Sequence, residues 1–220
     1  MPRRARFVIP DVPVHLVQRG HNKRPCFFNN GDCEFYLHWL EILAKESSCQ
    51  VHAFVLMTNH VHFAITPHEH DGLPHLMKSL HQRYAGYINK KYGRSGTIWE
   101  GRYRLCIIFD GTYFLTCMRY IELNPVRAGM VNHPRDYRWS SYRTNAEGAT
   151  SSFIDPHPLY LSLGESEVDR LVNYRRFVAA TPDDEVTETL RRATRSNCIV
   201  GDPGDDSALP VPGKKGRPHK

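Results

Sequence analysis

The chain has 220 residues, of which 40% are hydrophobic and 24% charged, a balance that supports a sizeable core and excludes a wholly disordered, collagenous or membrane-embedded chain. Its formal charge of +6 is unevenly spread: residues 1–148 hold 19 Lys and Arg against 12 Asp and Glu (net +7), and residues 149–220 hold 10 against 11 (net −1). No apolar run approaches bilayer length, and the basic start MPRRARFVIPDVP lacks the apolar stretch of a secretory signal, so a cytoplasmic location is expected. Six scattered cysteines (Cys26, Cys33, Cys49, Cys106, Cys117, Cys198) without a C-x-x-C pair predict reduced thiols rather than a disulfide framework or a zinc site.

In chain order, PVHLVQR (13–19) alternates as a strand, and the run after Asn29-Asn30-Gly31-Asp32 is helical through Leu43, with Phe35, Trp39, Ile42 and Leu43 on its buried stripe. Two β-rich runs, 49–57 and 60–66, are separated only by Thr58-Asn59 and predict an antiparallel hairpin. A helix follows over 73–92, closed by Gly93, then a strand over 104–110. The next helix is capped by Asp110 or Thr112 and runs to about Asn124, because Pro125 disfavours helical geometry in the residue before it. The order β-α-β-β-α-β plus a helix predicts an α+β fold of the split, ferredoxin-like kind, with helices on an antiparallel sheet. Helical stretches over 167–178 and 185–195 form an appendage, so the division is a domain at 1–148, a helical extension at 149–200 and a Gly-, Pro- and Asp-rich tail at 201–220 that is expected to be disordered.

Thirteen histidines in this length give roughly 0.8 H-x-H triplets by chance, so a triplet alone proves little. His68-Glu69-His70 falls in a loop and is expected to be exposed. His60-Val61-His62 falls on a strand, where alternation sends both imidazoles to one face while Val61, Phe63 and Ile65 bury on the other. On the helix ending near Asn124, Tyr113, Cys117, Tyr120 and Asn124 recur at intervals of four and three, forming one stripe. Two basic clusters stand out. One comprises Arg3, Arg4, Arg6, Arg19, Lys23 and Arg24; the other comprises Lys78, Arg83, Lys90, Lys91, Arg94, Arg102 and Arg104, interleaved with aromatic residues. Such a mixture can neutralise phosphates and stack bases.

Three segments carry a family resemblance: Met57-Thr58-Asn59-His60-Val61-His62-Phe63, Ile98-Trp99-Glu100-Gly101-Arg102-Tyr103, and Arg119-Tyr120-Ile121-Glu122-Leu123-Asn124-Pro125-Val126-Arg127-Ala128-Gly129-Met130-Val131. Together they resemble the REP-associated tyrosine transposases, TnpA-like members of the single-tyrosine HUH superfamily, and the likeness continues through Trp139-Ser140-Ser141-Tyr142. The resemblance implies a metal-dependent single-strand DNA endonuclease and strand transferase that works through a 5′-phosphotyrosine. Tyr120 would be the nucleophile, with His60, His62 and Asn124 holding Mg²⁺ or Mn²⁺. Tyr113 is the rival nucleophile on the same stripe.

The implied partners are single-stranded hairpins of palindromic repeats, and the implied setting is the bacterial cytoplasm with nucleoid association. Contacts are expected from Arg3, Arg4, Arg6, Arg19, Lys23, Arg24, Arg83, Lys90, Lys91, Arg102 and Arg104. No membrane partner is expected, and a monomer is favoured over a dimer. Gly216-Arg217-Pro218 flanked by lysines resembles an AT-hook, which would put Arg217 in the minor groove of an A·T-rich duplex. Two alternatives are a non-catalytic DNA-binding regulator and a metal hydrolase with water as its nucleophile.

Overall fold

The computed structural model describes residues 7–180 and 184–201. In chain order its first elements are strand β1 (Val14–Arg19), helix α1 (Asn30–Glu46), strands β2 (Cys49–Met57) and β3 (His60–Pro67), helix α2 (Gly72–Lys91), strand β4 (Arg104–Ile108) and helix α3 (Gly111–Glu122). Helices α4 (Asn124–Arg127), α5 (Tyr142–Glu147), α6 (Pro158–Leu161), α7 (Glu167–Ala179) and α8 (Asp184–Ser196) follow, and then a short strand, β5 (Ile199–Val200). The strands lie in the order β2-β3-β1-β4-β5, the first four being antiparallel as the split arrangement requires. The sheet is not wholly antiparallel, because β5 joins β4 in parallel. The sequence gives no warning of so short a strand.

Local chemistry explains the boundaries. Asn29 and Asp32 form a reciprocal capping box at the start of α1, satisfying two backbone N–H groups that the helix leaves unpaired. Met57 pairs with His60 across the two-residue Thr58-Asn59 connection, so the hairpin is as tight as its spacing predicts. Asp110 caps α3 by accepting from the N–H groups of Thr112 and Tyr113 at 2.8 and 3.2 Å. On α1 the buried stripe is Cys33, Tyr36, Leu40, Leu43 and Ala44; Phe35, Trp39 and Ile42, expected inside, are only half-buried. That offset of about one residue rolls the helix so that Tyr36, rather than Phe35, meets Phe63 of the sheet.

Strand alternation divides the core in two. Val14, Leu16, Val61, Phe63 and Ile65 pack beneath α1 and α2. Ala53, Val55, Ala64, Cys106 and Ile108 face the opposite way, where α3 lays Phe114, Cys117, Met118 and Ile121 across them. Burying such side chains stabilises the fold by roughly 2 kcal/mol each. The orientation of α3 is fixed by Glu122. Its fully buried carboxylate accepts from Ser141 Oγ at 2.6 Å, Asn145 Nδ2 at 2.8 Å and Tyr174 Oη at 2.8 Å, tying α3 to α5 and α7. Burial pushes the Glu122 pKa up to about 7, opposed by those three hydrogen bonds.

All six cysteines are free thiols, and His68 and His70 are exposed as expected, with His68 against Asp11. Among the described residues no helix is long and apolar enough to cross a membrane.

Candidate active site

The same alternation that builds the second core layer leaves a polar end to it. On β1, His15, Val17 and Arg19 share a face, and across the β1–β3 ladder Val17 pairs with His62 and Arg19 with His60. His60, His62 and His15 therefore project together, the His60 and His62 rings 5.0 Å apart and those of His15 and His62 5.2 Å apart, side by side and nearly parallel. Because α3 crosses this face, Tyr120 stands edge-on to both, with ring centres 5.8 Å from His62 and 5.7 Å from His15. The phenol and the imidazoles meet within one chain.

Asn124 is not the last residue of α3, as expected, but the first of α4. The chain breaks at Leu123, and Pro125 starts the new turn, where its missing N–H costs nothing. Asn124 nevertheless stays one turn from Tyr120, donating through Nδ2 to the Tyr120 carbonyl at 3.0 Å. That bond identifies Oδ1 as the free end of the amide; it accepts from Arg127 Nη2 at 2.9 Å. Arg127 also lies over Tyr120, with Cζ 3.8 Å from the ring centre. Arg191 of α8 also lies over the Tyr120 ring, with Cζ 5.4 Å from its centre. Tyr113, the rival nucleophile, is half-buried against the apolar layer and is not among the residues lining the cavity.

The histidines are held neutral. Burial lowers the His60 pKa to about 4 and that of His15 to about 3, with nearby Arg19 and Arg127 adding to the effect at His60 and Arg127 at His15. His62 is lowered as well, first by burial and then by its histidine and arginine neighbours. A neutral imidazole with a free ring nitrogen is what a cation requires.

His60 Nδ1 lies 2.6 Å from Asn59 Oδ1, and Asn59 Nδ2 donates to the Lys23 carbonyl, so the amide oxygen is the acceptor and His60 Nδ1 carries the proton. This leaves His60 Nε2 as a lone pair. Asn124 Oδ1 has a second lone pair beyond the one Arg127 uses. Two imidazoles and one amide oxygen are thus chemically able to hold a divalent cation, with phosphate and water supplying the remaining ligands. Among the described residues, no group of three or more His, Cys, Asp or Glu side chains offers a competing site.

These residues line a cavity of about 610 Å³. His15, His62 and Asn124 form its buried end, while the exposed side chains of Arg19, Lys23, Arg102, Arg104 and Arg195 surround the opening together with half-buried Arg191. Glu100 is the sole carboxylate among the described lining residues.

Of the predicted contact residues, Arg19, Lys23, Arg102 and Arg104 are therefore brought together at the site. Arg24 is exposed but outside the lining. Arg83, Lys90 and Lys91 lie on α2, across the sheet; Arg83 stacks on Trp39, and Lys91 pairs with Asp32 at 2.7 Å. Arg3, Arg4, Arg6 and Arg217 lie outside the described residues. His15, Arg127, Arg191, Thr194 and Arg195 are site residues that sequence patterns did not single out. For His15 a signal existed, since alternation along β1 puts it on the face of Val17 and Arg19. For the α8 residues nothing local did.

A mixed five-stranded sheet with helices packed on it is a fold found in DNA transposases. More particularly, the chain belongs to the IS200-like transposase family, whose sequence model matches residues 9–124, a span that includes His60, His62, Tyr120 and Asn124. The fold is similar to that of a REP-associated tyrosine transposase solved bound to a REP hairpin, at 17% identity over 71% of this chain and 93% of that one, with a TM-score of 0.58. A second solved structure, from Deinococcus radiodurans R1, matches at 16% identity over 47% of this chain and 84% of that one; its TM-score of 0.36 is too low to bear on the fold. No curated protein matches the sequence.

Proposed function

We propose that this transposase is a metal-dependent single-strand DNA endonuclease and strand transferase that acts on hairpins of palindromic repeats through a 5′-phosphotyrosine. One observation carries the reading: Tyr120, His60, His62 and Asn124 converge in a single basic cavity of one chain. The similarity in fold to a transposase bound to a REP hairpin supports the choice of partner.

Tyr120 is the nucleophile. Its hydroxyl oxygen bonds to phosphorus as the bond from phosphorus to the 3′ oxygen breaks; the phenol gives up one proton and the departing 3′ oxygen gains one. Arg127 and Arg191, whose guanidiniums lie over the Tyr120 ring, stabilise negative charge on the attacking oxygen and the phosphate. His60, His62 and Asn124 would hold Mg²⁺ or Mn²⁺, which supplies polarisation of the scissile phosphate. The imidazole-rich set favours Mn²⁺ over the harder Mg²⁺.

Because the phosphotyrosine conserves the phosphodiester bond, attack by another 3′-hydroxyl rejoins strands without a nucleotide cofactor. The surrounding arginines and Lys23 track the single strand, with Arg3, Arg4, Arg6 and Arg24 extending the path. Arg217 in the tail adds contacts to A·T-rich duplex. A monomer suffices, since every residue of the set comes from one chain.

The test is a labelled hairpin oligonucleotide with Mn²⁺, resolved on a denaturing gel. A protein–DNA adduct that needs both the metal and Tyr120 is expected. An adduct surviving in Tyr120→Phe, or cleavage without any adduct, would overturn the reading; no cleavage with tight binding would indicate a non-catalytic binder.

A further inference from the structure

His62 differs from His60 in what holds it. Its Nδ1 lies 2.9 Å from His15 Nε2, and His15 Nδ1 lies 2.9 Å from Thr194 Oγ1 of α8. Thr194 Oγ1 in turn lies 2.8 Å from the Leu190 carbonyl of its own helix. A carbonyl can only accept, so the single hydroxyl proton of Thr194 goes to Leu190. The threonine oxygen must then accept from His15 Nδ1. His15, buried and carrying one proton, presents Nε2 as a lone pair. His62 Nδ1 must supply the proton between the two rings, and His62 Nε2 is left bare. Each bond dictates the next.

We propose that His15 and Thr194 are positioning residues that lock His62 in the tautomer with a bare Nε2, so that a side chain of the C-terminal helix presets one of the two imidazoles for cation binding. The inference rests on the metal-site reading above, but concerns the protein before any metal arrives. Three features support it. His15 and His62 are 1% and 5% exposed, so water does not compete for these bonds. Their rings are nearly parallel, at 16°, which fixes the orientation of His62 as well as its proton. The three side chains also come from β1, β3 and α8, elements that pack together only in the finished fold. In metal sites generally, such outer partners set tautomer and ring orientation, and removing one typically weakens the metal tenfold to a hundredfold.

The opposite chain of donors is chemically conceivable and makes the inference testable. If the Thr194 hydroxyl donated to His15 Nδ1 instead, His15 Nε2 would carry the proton and His62 Nε2 would be protonated, the wrong form for ligation. Long-range ¹⁵N–¹H correlation spectra of the full-length, metal-free protein report which ring nitrogen of His62 bears hydrogen, and Mn²⁺ titration followed by electron paramagnetic resonance reports affinity. Expected are a protonated Nδ1 and bare Nε2 in the wild type, a mixed population in Thr194→Val with Mn²⁺ affinity reduced about tenfold or more, and restoration of both in Thr194→Ser.

A wild-type His62 protonated at Nε2 would overturn the proposal, as would a Thr194→Val protein whose spectrum and affinity are unchanged. Should Thr194→Val fail to fold, the wild-type spectrum and Thr194→Ser still decide. A wild type with bare Nε2 that binds no Mn²⁺ would instead sink the metal reading and leave the proton relay standing.

Discussion

Arg127 sits astride the two residues on which the proposed chemistry turns: its guanidinium covers Tyr120 at 3.8 Å from the ring centre and donates to Asn124 Oδ1 at 2.9 Å. One cation thus touches both the attacking group and a proposed ligand, and its two contacts make separable demands. Truncating Arg127 to Ala removes the desolvated cation over Tyr120, a loss of about 2 kcal/mol, or roughly thirtyfold in rate. The same change frees Asn124 Oδ1. Single-turnover adduct formation should therefore slow while Mn²⁺ affinity holds or rises; a parallel fall in both would mean that Arg127 merely shapes the turn at Leu123.

A second expectation separates cations at the cavity from cations across the sheet. If single-stranded DNA runs past Arg104 and Arg195, replacing either with Ala should lower the slope of log affinity against log salt by about 0.7. Lys91→Ala should leave that slope unchanged and lower the unfolding midpoint instead, since Lys91 serves Asp32. Equal effects on the slope from both sets would show that DNA also follows α2.

Asp32 predicts an acid sensitivity. Burial alone would raise its pKa, but hydrogen bonds from Lys91, the Phe28 N–H and Tyr92 outweigh it and hold the carboxyl below its ordinary range. A folded-state pKa below the unfolded value stabilises the protein above the unfolded pKa, and this is lost as pH falls through the folded one. Asp32→Asn should thus cost about 2 kcal/mol at pH 7, with the gap to wild type closing on acidification. Urea unfolding across that range measures it, and a gap independent of pH would refute the account.

The Glu122 cluster predicts a structural rather than chemical phenotype. Glu122→Ala strands the donors of Ser141, Asn145 and Tyr174 in the interior, for a loss of at least about 3 kcal/mol. Thermal unfolding should show the loss. Adduct formation per folded molecule should fall less than in Tyr120→Phe, because Glu122 is not among the cavity-lining residues.

Much of this arrangement was legible beforehand. Alternation located β1, β2 and β3 within a residue or two, because one period of two sends Val61, Phe63 and Ile65 inward and His60 and His62 to the other face. Helical spacing likewise set Tyr120 one turn from Asn124. What escaped was what long-range packing decides. Thr194 and Arg191 sit in a helix whose local pattern shows only amphipathicity, and they reach His15 and Tyr120 only because α8 packs against β1, β4 and α3. Arg83, Lys90 and Lys91 were grouped with Arg102 and Arg104 by sequence proximity, yet the turn between α2 and β4 carries the chain from one side of the sheet to the strand that borders the cavity.

The wall that α8 lends to the cavity bears on how the enzyme comes into being. Thr194 is made 179 positions after His15. A chain still emerging from the ribosome can form β1, β3 and α3, and so gather Tyr120 with both imidazoles, while Arg191, Thr194 and Arg195 are still unmade. The half-built molecule would hold Tyr120 beside the imidazoles with Arg19, Arg102 and Arg104 already made but without Arg191 and Arg195, and the cavity would be complete only once α8 is in place.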